Sequence, residues 1–208
     1  WAVTWAFGHM VELQEPEDYN PKWKSWRLSQ LPIIPNEFKL RSRQDGSALE
    51  QLNTIRQLFE SADEIVCATD AGREGELIFR YILTWANCES KACKRLWISS
   101  LTNSAIAKGF AELAPSEQYN NLYYAAKCRS EADWIVGLNA TRFFTVEYGR
   151  RNLLLSLGRV QTPILAMIVN RDLEIEYFKP KDFWEVHTVC REALFKHTGG
   201  KFEDETKA

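Results

Sequence analysis

Residues 64–76 read EIVCATDAGREGE, and this stretch decides the fold of the 208-residue chain. Residues 64–68 form a short apolar run that is typical of a buried strand. Residues 69–73 follow as a turn, and residues 74–85 then carry apolar side chains at helical spacing. Open α/β sheets bind their ligands at turns that end a strand and open a helix. The stretch therefore predicts an α/β domain with a ligand site at this acidic turn.

The sequence on both sides repeats the alternation of helices and strands. Residues 47–62 predict a helix, residues 94–98 predict a strand, and Thr102 is placed to cap a helix that runs to Leu113. The apolar positions of the first of these helices are Leu49, Leu52, Ile55, Leu58 and Phe59. Residues 1–7 are almost continuously apolar and predict a buried strand. This alternation indicates a sheet with parallel crossovers.

The character of the chain changes after Pro115. Residues 119–148 predict one long helix or two in sequence, and residues 160–178 predict another. Residues 183–190 alternate like a strand, but the chain turns polar from His197 and leaves little sequence to pair with that strand. We predict an α/β domain over residues 1–114, a helical domain over 115–181, and the truncated start of a further strand domain over 182–208.

The charge distribution argues for two local sites. The formal net charge is −2, which excludes a uniformly basic nucleic-acid binder but not a local basic patch. Six acids and one base lie between Glu60 and Glu76, and four arginines and one acid lie between Ala140 and Pro163. The first region suits a metal ion, and the second suits an anion.

Two further features bear on where the protein works. No apolar run approaches the roughly 18 residues of a membrane-spanning helix, so we predict no membrane association. The five cysteines form no Cys-x-x-Cys pair, which argues against a zinc ribbon and a disulfide framework. Reduced thiols are typical of a cytoplasmic protein.

Asp70 and Glu74 are the candidate metal ligands. They stand four residues apart, at the end of the predicted strand and in the first turn of the helix, so both carboxylates can point into one crevice. Such hard oxygen ligands suit Mg²⁺, which usually keeps several waters. Arg73 between them can meet a phosphate oxygen. The alternative is that Glu74 and Glu76 stand there because a helix N-terminus favours acids.

Four motifs resemble those of type IA DNA topoisomerases, in the family's order. Residues 68–76, ATDAGREGE, resemble the Toprim motif Asp-x-Asp-Arg-Glu-Gly-Glu, and residues 5–13, WAFGHMVEL, resemble the family's strand and Gly-His element. Residues 129–139, RSEADWIVGLN, resemble its Arg-x-x-x-Asp-x-x-x-Gly helix. Residues 156–163, SLGRVQTP, resemble its Ser-x-Gly-Arg-Val-Gln-[Ser/Thr]-Pro block. The set covers residues 1 to about 180 and is most like the topoisomerase III branch.

The resemblance implies a Toprim domain, which is a Rossmann-like parallel sheet with flanking helices, followed by a mainly helical domain. It implies ATP-independent breakage, strand passage and rejoining of single-stranded DNA, with Mg²⁺ as cofactor. Asp70, Glu74 and Glu76 match metal-site acids, and Arg73 and Glu74 match residues that support catalysis. Gly72 replaces the second aspartate of the motif, so we expect weak Mg²⁺ binding. The implied DNA-binding residues are His9, Arg129, Asp133, Ser156, Gly158, Arg159, Val160 and Gln161.

Two parts of the family machinery have no match in these residues. The first Toprim strand, with its acid–base glutamate, is expected before Trp1, and none of the seven tyrosines has the sequence context of the nucleophile. We therefore expect an internal fragment that binds single-stranded DNA and Mg²⁺ but does not relax DNA alone. A non-catalytic DNA-binding module and a Toprim nuclease or primase-like enzyme are the alternatives. The oligomeric state stays open.

Overall fold

A computed structural model of the protein describes residues 1–150 and 153–207, so Arg151, one of the arginines counted above, lies outside it. The chain divides into two compact units, Trp1–Arg159 and Val160–Ala208. The helices are α1 (Pro16–Tyr19), α2 (Gly46–Ser61), α3 (Arg73–Trp85), α4 (Asn103–Ala111), α5 (Asn120–Tyr148) and α6 (Gln161–Glu176). The strands are β1 (Val11–Leu13), β2 (Leu40–Ser42), β3 (Glu64–Cys67), β4 (Ala92–Arg95), β5 (Ala114–Pro115), β6 (Trp184–Cys190) and β7 (Ala193–Phe202).

The sheet at the acidic turn confirms the predicted crossover. β3 pairs with β4 in parallel, with Cys67 opposite Arg95, and α3 connects the two strands. The short strand β5 then pairs with β4 antiparallel, so this three-stranded sheet is mixed. The α/β class is confirmed, whereas β5 was not predicted because two residues are too short to show a period.

Helix α3 is buried on two sides, which explains its strongly apolar sequence. Leu77, Tyr81 and Ile82 pack into one core cluster with residues of α2, β1 and α5. Phe79 and Leu83 pack into a second cluster with the side chains of β3. The helix thus stands at the centre of the first unit, and its N-terminal end presents the acidic turn.

The predictions for α2 and α4 hold, with two local corrections. In α2, Ala48, Leu52 and Ile55 are buried, whereas Leu49 is 43% exposed. The buried stripe passes through position 48 because positions 48, 52 and 55 follow the helical period. The Thr102 side chain caps α4 by accepting a hydrogen bond from the Ala105 amide, as predicted, but the helix ends at Ala111.

Two strand predictions are corrected. Residues 1–7 form no strand, and Trp1 and Val3 are 96% and 86% exposed. A strand needs a neighbour that completes its hydrogen bonds, and in the described part of the chain β3 is paired on its β4 side. A cavity of about 380 Å³, lined by Trp5, Gly8 and residues 66–70, lies between that segment and β3. The strand predicted over 94–98 ends at Arg95.

Helix α5 is a single helix and holds the long excursion of residues 16–38 against the first unit. The Asn139 side chain pairs with both backbone groups of Ile33, accepting from its amide at 2.6 Å and donating to its carbonyl at 2.9 Å. The Arg142 guanidinium donates to the Trp23 carbonyl within this loop, and the Trp134 indole donates to the Gln14 carbonyl just before it. Side chains of α5 therefore satisfy backbone groups that the proline-rich loop leaves unpaired.

The second unit contains α6 and a hairpin. β6 pairs antiparallel with β7, with a register shift between Glu185 and His187. The expectation that little sequence remained for the strand at 183–190 is therefore wrong, because residues 193–202 turn back on it. The domain boundaries predicted at 114 and 181 stay predictions. Among the described residues, no helix combines the length and the hydrophobicity needed to cross a bilayer.

Replacing Asn139 tests the link between α5 and the loop. Asn139→Ala leaves the buried amide and carbonyl of Ile33 without partners, so we expect a loss of about 1–3 kcal/mol in unfolding free energy by urea denaturation. Asn121→Ala, on an exposed position of the same helix, is the control and should change that free energy by less than about 0.5 kcal/mol. Equal midpoints for the two variants would contradict the link.

Candidate metal and nucleic-acid site

The acidic turn is built on a close approach between α3 and the end of β3. A Cβ atom on Gly75 would lie 2.1 Å from the carbonyl oxygen of Asp70, so only glycine fits this helix position. The Thr69 hydroxyl donates to the Gly75 carbonyl at 2.7 Å. The turn is therefore tied directly to the first turn of α3.

The structure leaves two of the predicted metal ligands accessible. Asp70, Arg73 and Glu74 are exposed, with Asp70 in the turn that follows β3 and Glu74 in the first turn of α3. Within residues 1–150 and 153–207, no three His, Cys, Asp or Glu side chains converge on a common metal position. Among the described residues, a cation at this turn would thus have at most two such side chains as ligands.

Glu76 is placed differently from the other acids of the motif. Its side chain is fully buried. One oxygen accepts from Arg80 Nε at 2.9 Å, and the other lies 3.3 Å from Arg95 Nε, an ion-pair contact that is not aligned as a hydrogen bond. The carboxylate faces two guanidinium groups inside the protein. This geometry does not support the expectation that Glu76 is a metal ligand.

Helix α5 binds residues 153–159, which contain the Ser-x-Gly-Arg motif and are called the arginine segment below. The Thr145 hydroxyl accepts from the Leu155 amide at 3.1 Å, and the Thr141 hydroxyl accepts from the Leu157 amide at 2.9 Å. Gly137 lies one turn earlier, where an added Cβ atom would lie 3.6 Å from the Leu157 carbonyl oxygen, an ordinary van der Waals contact. These positions repeat every four residues and therefore share one helix face.

The same face continues to Asp133, which binds Arg159. The guanidinium donates to both carboxylate oxygens, at 2.8 Å from Nε and 3.0 Å from Nη2. These bonds hold the pKa of Asp133 below its ordinary value, and the charge of Arg129 adds to this effect. The hydrogen-bond partner of Asp133 is thus Arg159.

A cleft of about 460 Å³ joins several of the predicted DNA-binding residues to the Gly-His element. Its lining includes His9, Ser130, Asp133, Gly137 and Leu157. At its edge, His9 Nε2 lies 3.4 Å from Glu74 Oε2. The hydrogen bond to Asp133 raises the pKa of Arg159, and the charges of Asp133 and Glu74 add to this effect. The cleft therefore connects His9, which contacts Glu74, with Asp133, which binds Arg159.

The remaining predicted residues divide between the units. Ser156 and Gly158 lie on the segment seated on α5, in the first unit. Val160 and Gln161 begin the second unit, where Gln161 is the first residue of α6.

Three residues of the site were not predicted from the sequence. Thr141 and Thr145 accept hydrogen bonds from backbone amides of the arginine segment. Their spacing of four and eight residues from Gly137, which puts all three on one helix face, was the sequence signal for this role. Arg95 reaches the acidic turn from β4, where it is fully buried. A charged residue inside a predicted apolar strand was the signal for that role.

Comparison with known proteins identifies the family. The Toprim domain family matches residues 2–101, and the DNA topoisomerase family matches residues 117–208. DNA topoisomerase 3 of Bacillus subtilis is 48% identical over 189 residues, which are 90% of this chain. The chain belongs to the type IA DNA topoisomerases. DNA topoisomerase 3 of Staphylococcus saprophyticus is also 48% identical, over 88% of this chain.

The chain spans about a quarter of the length of these curated topoisomerases, 25% in both cases. The two matched regions contribute different sides of the cleft. His9 and Glu74 lie in the Toprim match, whereas Asp133 and Arg159 lie in the DNA topoisomerase match. The predicted resemblance to topoisomerase III is therefore confirmed, and the site stands where the two regions meet.

Two neighbouring glycines allow a matched test of how the turn is built. Gly75→Ala would place a Cβ against the backbone of Asp70, so we expect a loss of about 1–3 kcal/mol in unfolding free energy. A Cβ on Gly72 meets no atom within 4 Å, and its backbone is extended, so Gly72→Ala should change that free energy by less than about 0.5 kcal/mol. Thermal unfolding of both variants decides this, and equal effects would refute the close approach.

Proposed function

We propose that this chain forms the part of a type IA topoisomerase that binds single-stranded DNA and holds Mg²⁺ near its backbone. The full-length enzyme would break a DNA strand through a tyrosine, pass another strand through the gap and reseal it. Among the described residues, Tyr81 is the tyrosine that lines the cleft, but it is 3% exposed, and burial raises its pKa to about 12. Its side chain is packed in the core, out of reach of a DNA strand, so Tyr81 is not the nucleophile.

The position of Arg159 is the single observation that carries the proposal. Its guanidinium sits at the edge of the cleft, in an ion pair with Asp133 in which both side chains are more than 40% exposed. Exposed ion pairs contribute little net free energy, so exchanging one partner for another costs little. A phosphate matches the planar guanidinium in the same bidentate way as a carboxylate does. Asp133 therefore keeps Arg159 oriented until a phosphate replaces it.

Binding of a labelled single-stranded oligonucleotide tests this assignment. We expect Arg159→Ala to weaken binding about tenfold at low salt, and to lower the slope of log affinity against log salt by about 0.7, the value for one phosphate contact on a single strand. Fluorescence anisotropy across a salt series measures both quantities.

Arg171→Ala is the matched control, because Arg171 is an exposed arginine that also pairs with an acid, Glu174. It should leave the affinity and the salt slope near those of the unchanged chain. Equal losses in the two variants would mean that Arg159 contributes only general positive charge. No binding at low salt by the unchanged chain would contradict the strand-binding function itself.

The metal proposal rests on Asp70 and Glu74. Mg²⁺ is commonly held by one or two carboxylates while it keeps several waters, and the two exposed acids of the turn fit this pattern. Bound there, Mg²⁺ would neutralise charge on the phosphate that reacts. Glu74 also lies beside His9, so the carboxylate is kept at the end of the cleft where the strand would pass.

The residue at position 72 gives the metal proposal a gain-of-function test. Its Cβ direction is open, so Gly72→Asp adds a third carboxylate without a clash, and we expect about tenfold tighter Mg²⁺ binding. Asp70→Asn and Glu74→Gln should each weaken binding by a similar factor. Isothermal titration measures these affinities, and Asp63→Asn, an exposed acid that precedes β3, is the control. If all four variants gave the same heats as the unchanged chain, the turn would not be a metal site.

A further inference from the structure

Arg95 makes an unusual set of contacts with the acidic turn. Its Nη1 donates to the carbonyl oxygens of Cys67 and Thr69, at 3.1 and 2.7 Å, and its Nη2 donates to the carbonyl oxygen of Asp70 at 2.5 Å. The carboxyl ends of parallel strands meet at one edge of the sheet, so the last residue of β4 stands beside this turn. One guanidinium thus gathers three backbone carbonyls from the residues that lead to Asp70.

A lysine would not reproduce this arrangement. The guanidinium is a rigid planar fork whose donors point in fixed directions, whereas an ammonium is a point charge on a flexible stem. The three carbonyls are presented to the edge of that fork. The contact therefore fixes the direction of the backbone at Asp70 as well as supplying hydrogen bonds.

The Glu76 carboxylate contacts the same guanidinium at its Nε atom. Arg95 and Glu76 are both fully buried, and the carboxylate supports the charge of the guanidinium inside the protein. Well-packed apolar residues often replace buried ion pairs with no loss of stability, so stability alone does not explain the pair. What an apolar pair would not supply is a donor to the carbonyls of Cys67, Thr69 and Asp70.

We propose that Arg95 is a positioning residue that holds the backbone of the Asp70 turn in the shape which presents the Asp70 carboxylate to a cation, and that Glu76 fixes Arg95 for this role. The proposal deepens the metal function proposed above and rests on it for the readout of Mg²⁺ affinity. It also gives Glu76 a task other than metal ligation.

The test separates positioning from stability with four variants of the full chain. Arg95→Met removes the donors, Arg95→Lys keeps the charge without the fork, and the double variant Glu76→Leu with Arg95→Met replaces the buried pair by apolar residues. Arg56→Met is the matched control, because Arg56 also stacks on a tryptophan, Trp85, as Arg95 does on Trp97. Each variant is measured by melting temperature, by hydrogen–deuterium exchange of residues 68–72, and by Mg²⁺ titration.

We expect both single variants at Arg95 to speed amide exchange in residues 68–72 by about tenfold and to weaken Mg²⁺ binding by about tenfold. This is the effect of losing one or two charge-assisted hydrogen bonds. The double variant should recover most of the melting temperature while exchange at the turn stays fast. Arg56→Met should leave exchange at the turn unchanged.

Two results would overturn the proposal. One is slow exchange at the turn in Arg95→Met, within twofold of the unchanged chain. The other is recovery of slow exchange together with the melting temperature in the double variant, which would make the pair merely structural. If the unchanged chain bound no Mg²⁺ while Arg95→Met still loosened the turn, the metal function would fail and the positioning role would stand.

Discussion

The carboxylate of Glu76 lies between the guanidinium groups of Arg80 and Arg95, out of contact with water, and the first unit is arranged around this contact. Arg95 comes from β4 and holds the acidic turn, whereas Arg80 donates to Ser116 and Asn120 where α5 begins. Breaking a buried ion pair by removing one partner typically costs about 3–5 kcal/mol. The register of β4, the orientation of α3 and the start of α5 are therefore constrained together by one side chain.

This constraint explains how two distant sequence motifs meet. The acidic turn is fixed to the N-terminal end of α3, and α5 is packed against the same helix through Tyr81 and Ala126. The face of α5 that carries Asp133 and Thr141 then seats the arginine segment beside the cleft. Glu74 contacts His9 and Arg159 binds Asp133, and His9 and Asp133 line one cleft because α3 and α5 share one core.

The sequence carried enough information for most of the secondary structure, whereas the roles of the predicted site residues stay predictions. The crossover from β3 to β4, the cap at Thr102 and the acids at the turn follow from local spacing. Residues 1–7 show why other features were missed. An apolar run alone does not reveal whether a neighbouring strand is present to pair with it. Glu76 was misjudged because Glu74 and Glu76 look alike in a motif, and only the packing of α3 shows that Glu76 turns inward. Arg95 was missed because its three acceptors are backbone carbonyls, so a charged residue in a predicted strand was a signal without a visible partner.

Two arginine–carboxylate pairs of the first unit, Arg159–Asp133 and Arg95–Glu76, have the same chemistry and opposite exposure. This difference suits them to different functions. Salt screens charges in solvent strongly and buried charges weakly. Arg159 and Asp133 are exposed, so their contact exchanges readily with a phosphate and weakens as salt rises. Arg95 and Glu76 are fully buried, so their contact is insulated from the same change. High salt can therefore release a bound strand from the cleft while the acidic turn keeps its shape, because burial separates the contact that binds from the contact that positions.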